Sequence, residues 1–147
     1  KRNLKVALIP GNHESAATTG FLTELYNIYN LHGYSMRLGD IGLFGAGHAN
    51  AGPYPIDDIE MLKLLQKGFE YIKDAKKKIM VTHVHPASGL IEKMSGFAGS
   101  KAVKKALEQF KPDIHLCGHI HEAEGIEDVV CGIKSINVGK NGKIIEI

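Results

Sequence analysis

The sequence contains three short, continuous apolar runs, and each run ends in a turn that carries histidine. The runs are Leu4 to Ile9, Ile79 to Thr82 and Ile114 to Cys117. Short runs of this kind, in which Lys5 and His115 are the internal polar residues, are typical of strands buried on both faces, as in a parallel sheet. Helical patterns separate them, so the sequence predicts an α/β fold with a largely parallel central sheet.

Capping residues and helix-spaced apolar residues locate the helices between these strands. The expected helices run from Thr18 or Thr19 to Gly33, from Asp57 to the lysines at 76–78, and from Ser100 to Lys111. Tyr34 to Leu38 and Ile41 to Phe44 are predicted to form a hairpin, and the segment from Ile126 to Ile147 is predicted to add strands at the end of the sheet.

The composition limits the class of protein. With 147 residues, 44% of them apolar, the chain is long enough for one domain with a real core. The net charge of +2 gives no electrostatic reason to expect nucleic acid or a membrane as partner. Two cysteines and no apolar run near the roughly 20 residues of a membrane span predict a cytoplasmic protein. A small anion is the expected partner, and a homodimer remains open.

Five of the eight histidines fall in the three turns. They are His13, His83, His85, His119 and His121, with Asn12 beside the first of them. Because the carboxyl ends of parallel strands meet at one edge of a sheet, we expect these side chains to converge. Imidazole nitrogen and amide oxygen bind divalent cations. The sequence therefore predicts a site for one or two such ions, without thiolate ligands.

The turns also carry a family resemblance. The ordered set GNHE at 11–14, THVHP at 82–86 and CGHIHE at 117–122 resembles the second half of a calcineurin-like metallophosphoesterase. The segment from Gly99 to Gly125 is similar to the helix-strand unit of cyclic-phosphodiesterase-like bacterial and archaeal members. The resemblance covers nearly the whole chain, and it implies a layered α/β/β/α fold.

The resemblance implies a role for each of five residues. Asn12, His83 and His119 would ligate the second metal, His121 would ligate the first, and His13 would be the acid near the leaving group. The cofactors would be two divalent ions, with manganese as the first expectation and iron, zinc or nickel as alternatives.

Two neighbouring residues have no assigned family role. His85 matches no family ligand, so a role behind the ligands or towards substrate and a place in a surface loop are equally open. Glu14 either orients His13 or caps the following helix, and the cap is the simpler expectation.

The resemblance is incomplete at the N-terminus. The family's Asp-x-His and Gly-Asp-x-x-Asp motifs would precede Asn12, where the sequence has only eleven residues. Asp40 reads as part of a hairpin turn, and Asp113 and His115 belong with the third strand, so neither replaces the missing carboxylates. We expect residues 1–147 to be one domain that lacks an N-terminal strand-helix-strand segment.

The function implied is metal-dependent hydrolysis of a phosphodiester or phosphomonoester, by a metal-activated hydroxide with His13 as general acid. The chain alone is expected to bind metal weakly and to turn over little substrate. The alternatives are a catalytically silent scaffold, against which the retention of His13 argues, and a metallohydrolase of amides or lactams, which would need another aspartate. The loops from Gly45 to Pro55, with His48 and Tyr54, and from Ala87 to Gly99 are expected to form the substrate rim.

Overall fold

The computed structural model describes residues 4–147 and contains a six-stranded sheet, a two-stranded sheet and four α-helices. The strands are β1 Ala7–Leu8, β2 Tyr29–Asn30, β3 Ser35–Leu38, β4 Ile41–Ala46, β5 Lys77–Thr82, β6 Ile114–Cys117, β7 Glu127–Val130 and β8 Ile133–Asn137. The helices are α1 Ala16–Tyr26, α2 Asp58–Glu70, α3 Leu90–Ser95 and α4 Lys101–Phe110, and a short 3-10 helix covers His121–Ala123.

The larger sheet has the strand order β3-β4-β5-β6-β8-β7. Its four central strands are parallel, and the two edge strands pair antiparallel to them. Ala46 is in register with Thr82, and Cys117 is in register with Asn137, so the central strands end at one level. The α/β class, with a central sheet and flanking helices, is confirmed.

Helices α2 and α4 pack together over the sheet around aromatic residues. The Phe44 ring lies 5.5 Å from Phe69 and 6.0 Å from Phe110, measured between centroids. The Asp58 side chain joins the two helices, because its Oδ1 accepts from Ser100 Oγ at 2.8 Å and from the Ala102 backbone at 2.9 Å. Ser100 caps α4 as predicted, through its Oγ to the Val103 backbone N–H.

Helix α1 differs from the prediction at both ends. Ser15 is the cap, since its Oγ accepts from the Thr18 backbone N–H at 3.0 Å. The helix stops at Asn27, which adopts the left-handed conformation with φ 51°. Asparagine tolerates that conformation, so the chain leaves the helix six residues before Gly33 and forms β2 instead.

The first apolar run is a two-residue strand and is not buried. β1 pairs in parallel with β2, and Leu4 and Val6 are 72% and 44% exposed. Large side chains of α1 and β2 are exposed as well. We call this surface the apolar face, and it consists of Leu4, Val6, Phe21, Leu25, Tyr26 and Tyr29.

The remaining predictions have mixed outcomes. The hairpin of β3 and β4 is confirmed, although β4 extends to Ala46. Helix α2 ends at Glu70, before the lysines at 76–78, and α3 was not predicted. Strands β7 and β8 are confirmed, whereas 144–147 forms no strand. Within residues 4–147, the helices are all too short or too polar to cross a bilayer.

Candidate active site

The turn after β1 presents Asn12 and His13 at the same edge as the ends of the central strands. Its shape depends on Glu14, whose Oε2 accepts the Gly11 backbone N–H at 3.0 Å. Glu14 therefore braces the turn, and the helix cap expected of it is supplied by Ser15. A Cβ at residue 11 would lie 2.6 Å from that Glu14 oxygen, so a larger residue there would displace the Glu14 carboxylate.

Asn12 and His83 are in direct contact. The Nε2–H of His83 donates to Asn12 Oδ1 at 3.0 Å. The amide nitrogen of Asn12 faces Gly52, where a Cβ would come within 2.5 Å of Nδ2. Gly52 has φ 105°, so the loop gives the Asn12 side chain both space and a fixed orientation.

His119 lies next to His83. The Gly118 backbone N–H donates to His83 O at 3.0 Å and ties the turn after β6 to the turn after β5. The two imidazole rings are 5.0 Å apart between centroids and are inclined by 65°. Asn137, which is fully buried, supports this turn by donating from Nδ2 to Ile120 O at 2.8 Å.

His13 and His121 are exposed near this pair. Both act electrostatically on His119 and His83 and lower the pKa of each ring, so all four imidazoles share one region. The structure therefore brings Asn12, His83 and His119 together and places His13 and His121 beside them.

Burial keeps the central imidazoles uncharged. It is the largest cause that lowers the pKa of His83 to about 4, and neighbouring imidazoles, His119 first, lower it further. Burial also lowers the pKa of His119, followed by the effect of His85. Neutral imidazole is the form that binds metal, so at neutral pH these side chains are ready to act as ligands.

His85 is not in a surface loop, which excludes one of its two expected roles. The side chain is fully buried, and its Nε2–H donates to Phe97 O at 3.1 Å. Its Nδ1 is buried without a hydrogen-bond partner among residues 4–147. His85 lies behind His119, whose pKa it lowers.

The histidine within β6, His115, has a structural role. His115 is completely buried between Thr82 Oγ1 and Ser135 Oγ, each at 2.8 Å from a ring nitrogen. Burial lowers the pKa of His115 to about 3. Asp40 and Asp113 pair with Lys76 and Lys77 at 2.7 Å and 3.2 Å, so neither carboxylate serves the site.

The donor atoms partly fit a divalent cation. Asn12 Oδ1 and His83 Nε2 lie 3.0 Å apart as a hydrogen-bonded pair, so both atoms could face one cation once the ring proton of His83 is on Nδ1. Among residues 4–147, however, no three His, Cys, Asp or Glu side chains are close enough to hold an ion. The paired donors are neutral nitrogen and oxygen atoms, and the nearby Glu14 carboxylate accepts the Gly11 backbone N–H.

His48, which the sequence predicts in the substrate rim, also belongs to this edge, and its contact with the turn after β1 was not predicted. It follows β4 as His83 follows β5, and it lowers the pKa of His83. The available signal was an apolar run, Ile41 to Ala46, followed by glycine and histidine as in Gly118-His119. The glycine- and proline-rich residues that follow made the segment resemble a loop.

Comparisons with known proteins agree with this geometry. The family model for calcineurin-like phosphoesterases matches residues 1–123, so the chain belongs to that family. The Methanocaldococcus jannaschii protein MJ1162, described as uncharacterized, is 25% identical in an alignment 134 residues long that covers 86% of this chain and 60% of the relative. The chain therefore spans about three fifths of that relative's length.

A solved structure shows the same fold. The crystal structure of TT1561 from Thermus thermophilus superposes with a TM-score of 0.67 at 21% identity. The superposition covers 92% of this chain and 63% of TT1561. The metallophosphoesterase-type architecture is thus shown.

Proposed function

We propose that this chain takes part in the metal-dependent hydrolysis of phosphate esters, either diesters or monoesters. The contact between Asn12 Oδ1 and His83 Nε2 carries the proposal, because it brings two side chains of metal-binding types from distant parts of the sequence together at 3.0 Å. His119 stands beside them at a ring separation of 5.0 Å from His83. The family of the chain supports phosphoester chemistry.

The side chains divide into binding and proton-transfer roles. Asn12, His83 and His119 would hold one divalent cation, and His121 would be the first ligand of another. Bound cations would neutralise the phosphoryl oxygens and acidify the attacking water. His13, which is exposed and close to these rings, would donate a proton to the leaving-group oxygen. Nitrogen and oxygen donors suit manganese, and also iron, zinc and nickel.

The site needs carboxylates from outside residues 4–147. Within these residues no group of three His, Cys, Asp or Glu side chains could hold an ion, and the Glu14 carboxylate is held by the Gly11 backbone N–H. The six side chains of the apolar face are also 40–72% exposed. In our proposal one strand-helix-strand segment covers this face and supplies the missing carboxylates. The length of the archaeal relative, of which this chain matches 60%, leaves room for such a segment.

The proposed substrate is a small phosphorylated molecule. A net charge of +2 gives little attraction for a long polyanion. The two free thiols, Cys117 and Cys131, suit a reducing compartment, and we place the protein in the cytoplasm.

Metal binding and turnover by the full 147-residue chain test the proposal. Zn²⁺ is titrated into protein with ¹⁵N-labelled histidine, and bis-(p-nitrophenyl) phosphate is assayed with Mn²⁺. We expect weak Zn²⁺ binding that shifts ring nitrogens of His83 and His119, together with little or no turnover. Acetate, added as a free carboxylate, should strengthen binding beyond an equal concentration of chloride.

Matched variants make the result specific. Asn12→Ala and His83→Ala should abolish the Zn²⁺ response, whereas Asp113→Asn, at the opposite end of β6, should leave it unchanged. If Asn12→Ala and His83→Ala bound Zn²⁺ as the wild type does, the proposed site would be refuted. Robust turnover by the chain alone would refute the need for a further segment.

A further inference from the structure

His48 lies at the carboxyl end of β4, against the turn that carries Asn12. Its backbone N–H donates to Pro10 O at 3.0 Å, and its ring Nδ1–H donates to Gly11 O at 3.0 Å. The side chain is 8% exposed. Both carbonyls immediately before Asn12 are therefore held by this one residue.

The backbone of His48 is in a conformation that L-residues avoid. Its φ is 64°, in the left-handed region that glycine adopts without strain. The backbone hydrogen bond to Pro10 alone would be available to glycine. Retention of an imidazole at a strained position points to a use for the ring itself.

The surroundings fix the ring and the peptide before it. The Gly47 backbone N–H donates to His32 Nδ1 at 2.9 Å. A Cβ at residue 47 would lie 2.1 Å from Pro10 O, so only glycine permits this approach. The His32 and His48 rings meet edge to face with centroids 5.0 Å apart. The ring of His48 is thus braced from behind while Nδ1 faces Gly11.

The geometry points to His48 as a positioning residue that locks the Gly11–Asn12 turn and so aims Asn12 Oδ1 at His83 Nε2. This inference rests on the proposed function, since the aimed pair is the proposed cation-binding pair. The nearby Tyr54 backbone N–H donates to Asn12 O at 3.2 Å and also stabilises this turn. A hydrogen-bonded residue behind a metal ligand fixes the ligand's orientation, and its loss weakens metal affinity.

A pair of variants separates the ring's hydrogen bond from the backbone conformation. His48→Gly keeps the left-handed backbone and removes the donor. His48→Asn also tolerates that backbone, and its side-chain amide can still donate to Gly11 O. Thermal unfolding of each variant checks that the full chain is folded before binding is compared.

Two readouts are measured on ¹⁵N-histidine-labelled chain, with Zn²⁺ as the metal probe. In metal-free protein, the His83 ring signals report whether Nε2–H still donates to Asn12. Upon Zn²⁺ titration, we expect about tenfold weaker binding by His48→Gly and recovery to within about threefold of wild type by His48→Asn. The metal-free His83 signals should change in the glycine variant and be preserved in the asparagine variant.

Each contrary result has its own meaning. Unchanged His83 signals and unchanged Zn²⁺ affinity in His48→Gly would overturn the positioning role. A Zn²⁺-induced shift of His48 Nε2 itself, with His48→Asn as weak as His48→Gly, would make His48 a ligand and also overturn it. If the wild-type chain bound no Zn²⁺, the proposed function would fail, while the metal-free His83 signals would still decide the role of His48.

Discussion

Asn12 Oδ1 lies 3.0 Å from His83 Nε2, although 71 residues separate the two in the sequence. This contact predicts that a charge introduced at residue 12 changes the pKa of His83. Replacing Asn12 with aspartate puts a carboxylate against the imidazole and favours its protonated form. In Asn12→Asp the pKa of His83 should rise from about 4 by about 1 unit or more, measured by NMR titration of the ring.

The same substitution should strengthen Zn²⁺ binding, because it places a carboxylate directly against His83. Asn12→Ala is the control, since it removes the hydrogen bond without adding charge. If the pKa of His83 were the same in Asn12→Asp and Asn12→Ala, the two side chains would not be in contact in solution.

Much of this site was readable from the sequence. His83 and His119 each follow a short apolar run, and the edge they share follows from parallel pairing, which such runs favour. Asn12 was predicted for the same edge, although its strand is only two residues long and belongs to the smaller sheet. The types of residue at the ends of the strands predicted where the side chains converge, even for β1, whose length and burial were wrongly predicted.

The parts that were missed depend on contacts between distant segments. His48 is at the edge because β4 pairs in parallel with β5, a pairing that the hairpin with β3 does not reveal. β2 is two residues that extend only because β1 lies beside them. The end of α1 was misplaced because Asn27 adopts a left-handed conformation as glycine does. The pairing of β1 with β2 has no local signature in the sequence, whereas β4 had a signal in its apolar run.

Acid should destabilise the protein through its buried histidines. Burial lowers the pKa of His115 to about 3, from an ordinary value of 6.5. Below pH 6.5, His115 binds a proton in the unfolded chain but stays neutral in the folded chain. The free energy of unfolding therefore decreases as pH falls from 6.5 towards 3. For one such histidine, the free energy of unfolding decreases by about 1.4 kcal/mol per pH unit. Urea unfolding of the metal-free chain at about pH 7, 6 and 5 measures it.

His115→Gln isolates this contribution. Glutamine can hydrogen-bond to Thr82 and Ser135 but does not titrate, so the free energy of unfolding should fall less steeply with acidification, by about 1.4 kcal/mol per pH unit. His32 and His83, each with its pKa lowered to about 4 by burial, contribute in the same pH range and remain in the variant. Equal pH slopes for variant and wild type would show that His115 is protonated in the folded state.

Gly52 should be required for the orientation of Asn12 as well as for the turn. Alanine at residue 52 would place Cβ 2.5 Å from Asn12 Nδ2, at a φ of 105°. Gly132→Ala is a matched control, because Gly132 has φ 78° and open space around its Cβ position. Both variants should lose about 1 kcal/mol of stability from backbone strain. Only Gly52→Ala should also change the Asn12 side-chain amide signals and weaken Zn²⁺ binding.

The apolar face should make the isolated chain associate. Phe21 and Leu25 are one helical turn apart on α1 and are 62% and 59% exposed. Because they contribute little to the core, Phe21→Gln with Leu25→Gln should change the free energy of unfolding by only about 0.5 kcal/mol. Removing this much exposed apolar area should nevertheless reduce self-association. Sedimentation velocity over a range of concentrations measures the effect.

Ile59→Gln provides the control for that measurement. Ile59 is 69% exposed on α2, outside the apolar face, so its replacement should leave the sedimentation profile of the chain unchanged. If the wild-type chain formed a discrete dimer and the double variant were monomeric, the partner of the apolar face would be a second copy of the chain. Open-ended association that is lost in the double variant is the expected result, because in our proposal a strand-helix-strand segment, and not a second copy, covers this face. A wild-type chain that stays monomeric at high concentration would contradict the prediction, since exposed apolar side chains favour association in water.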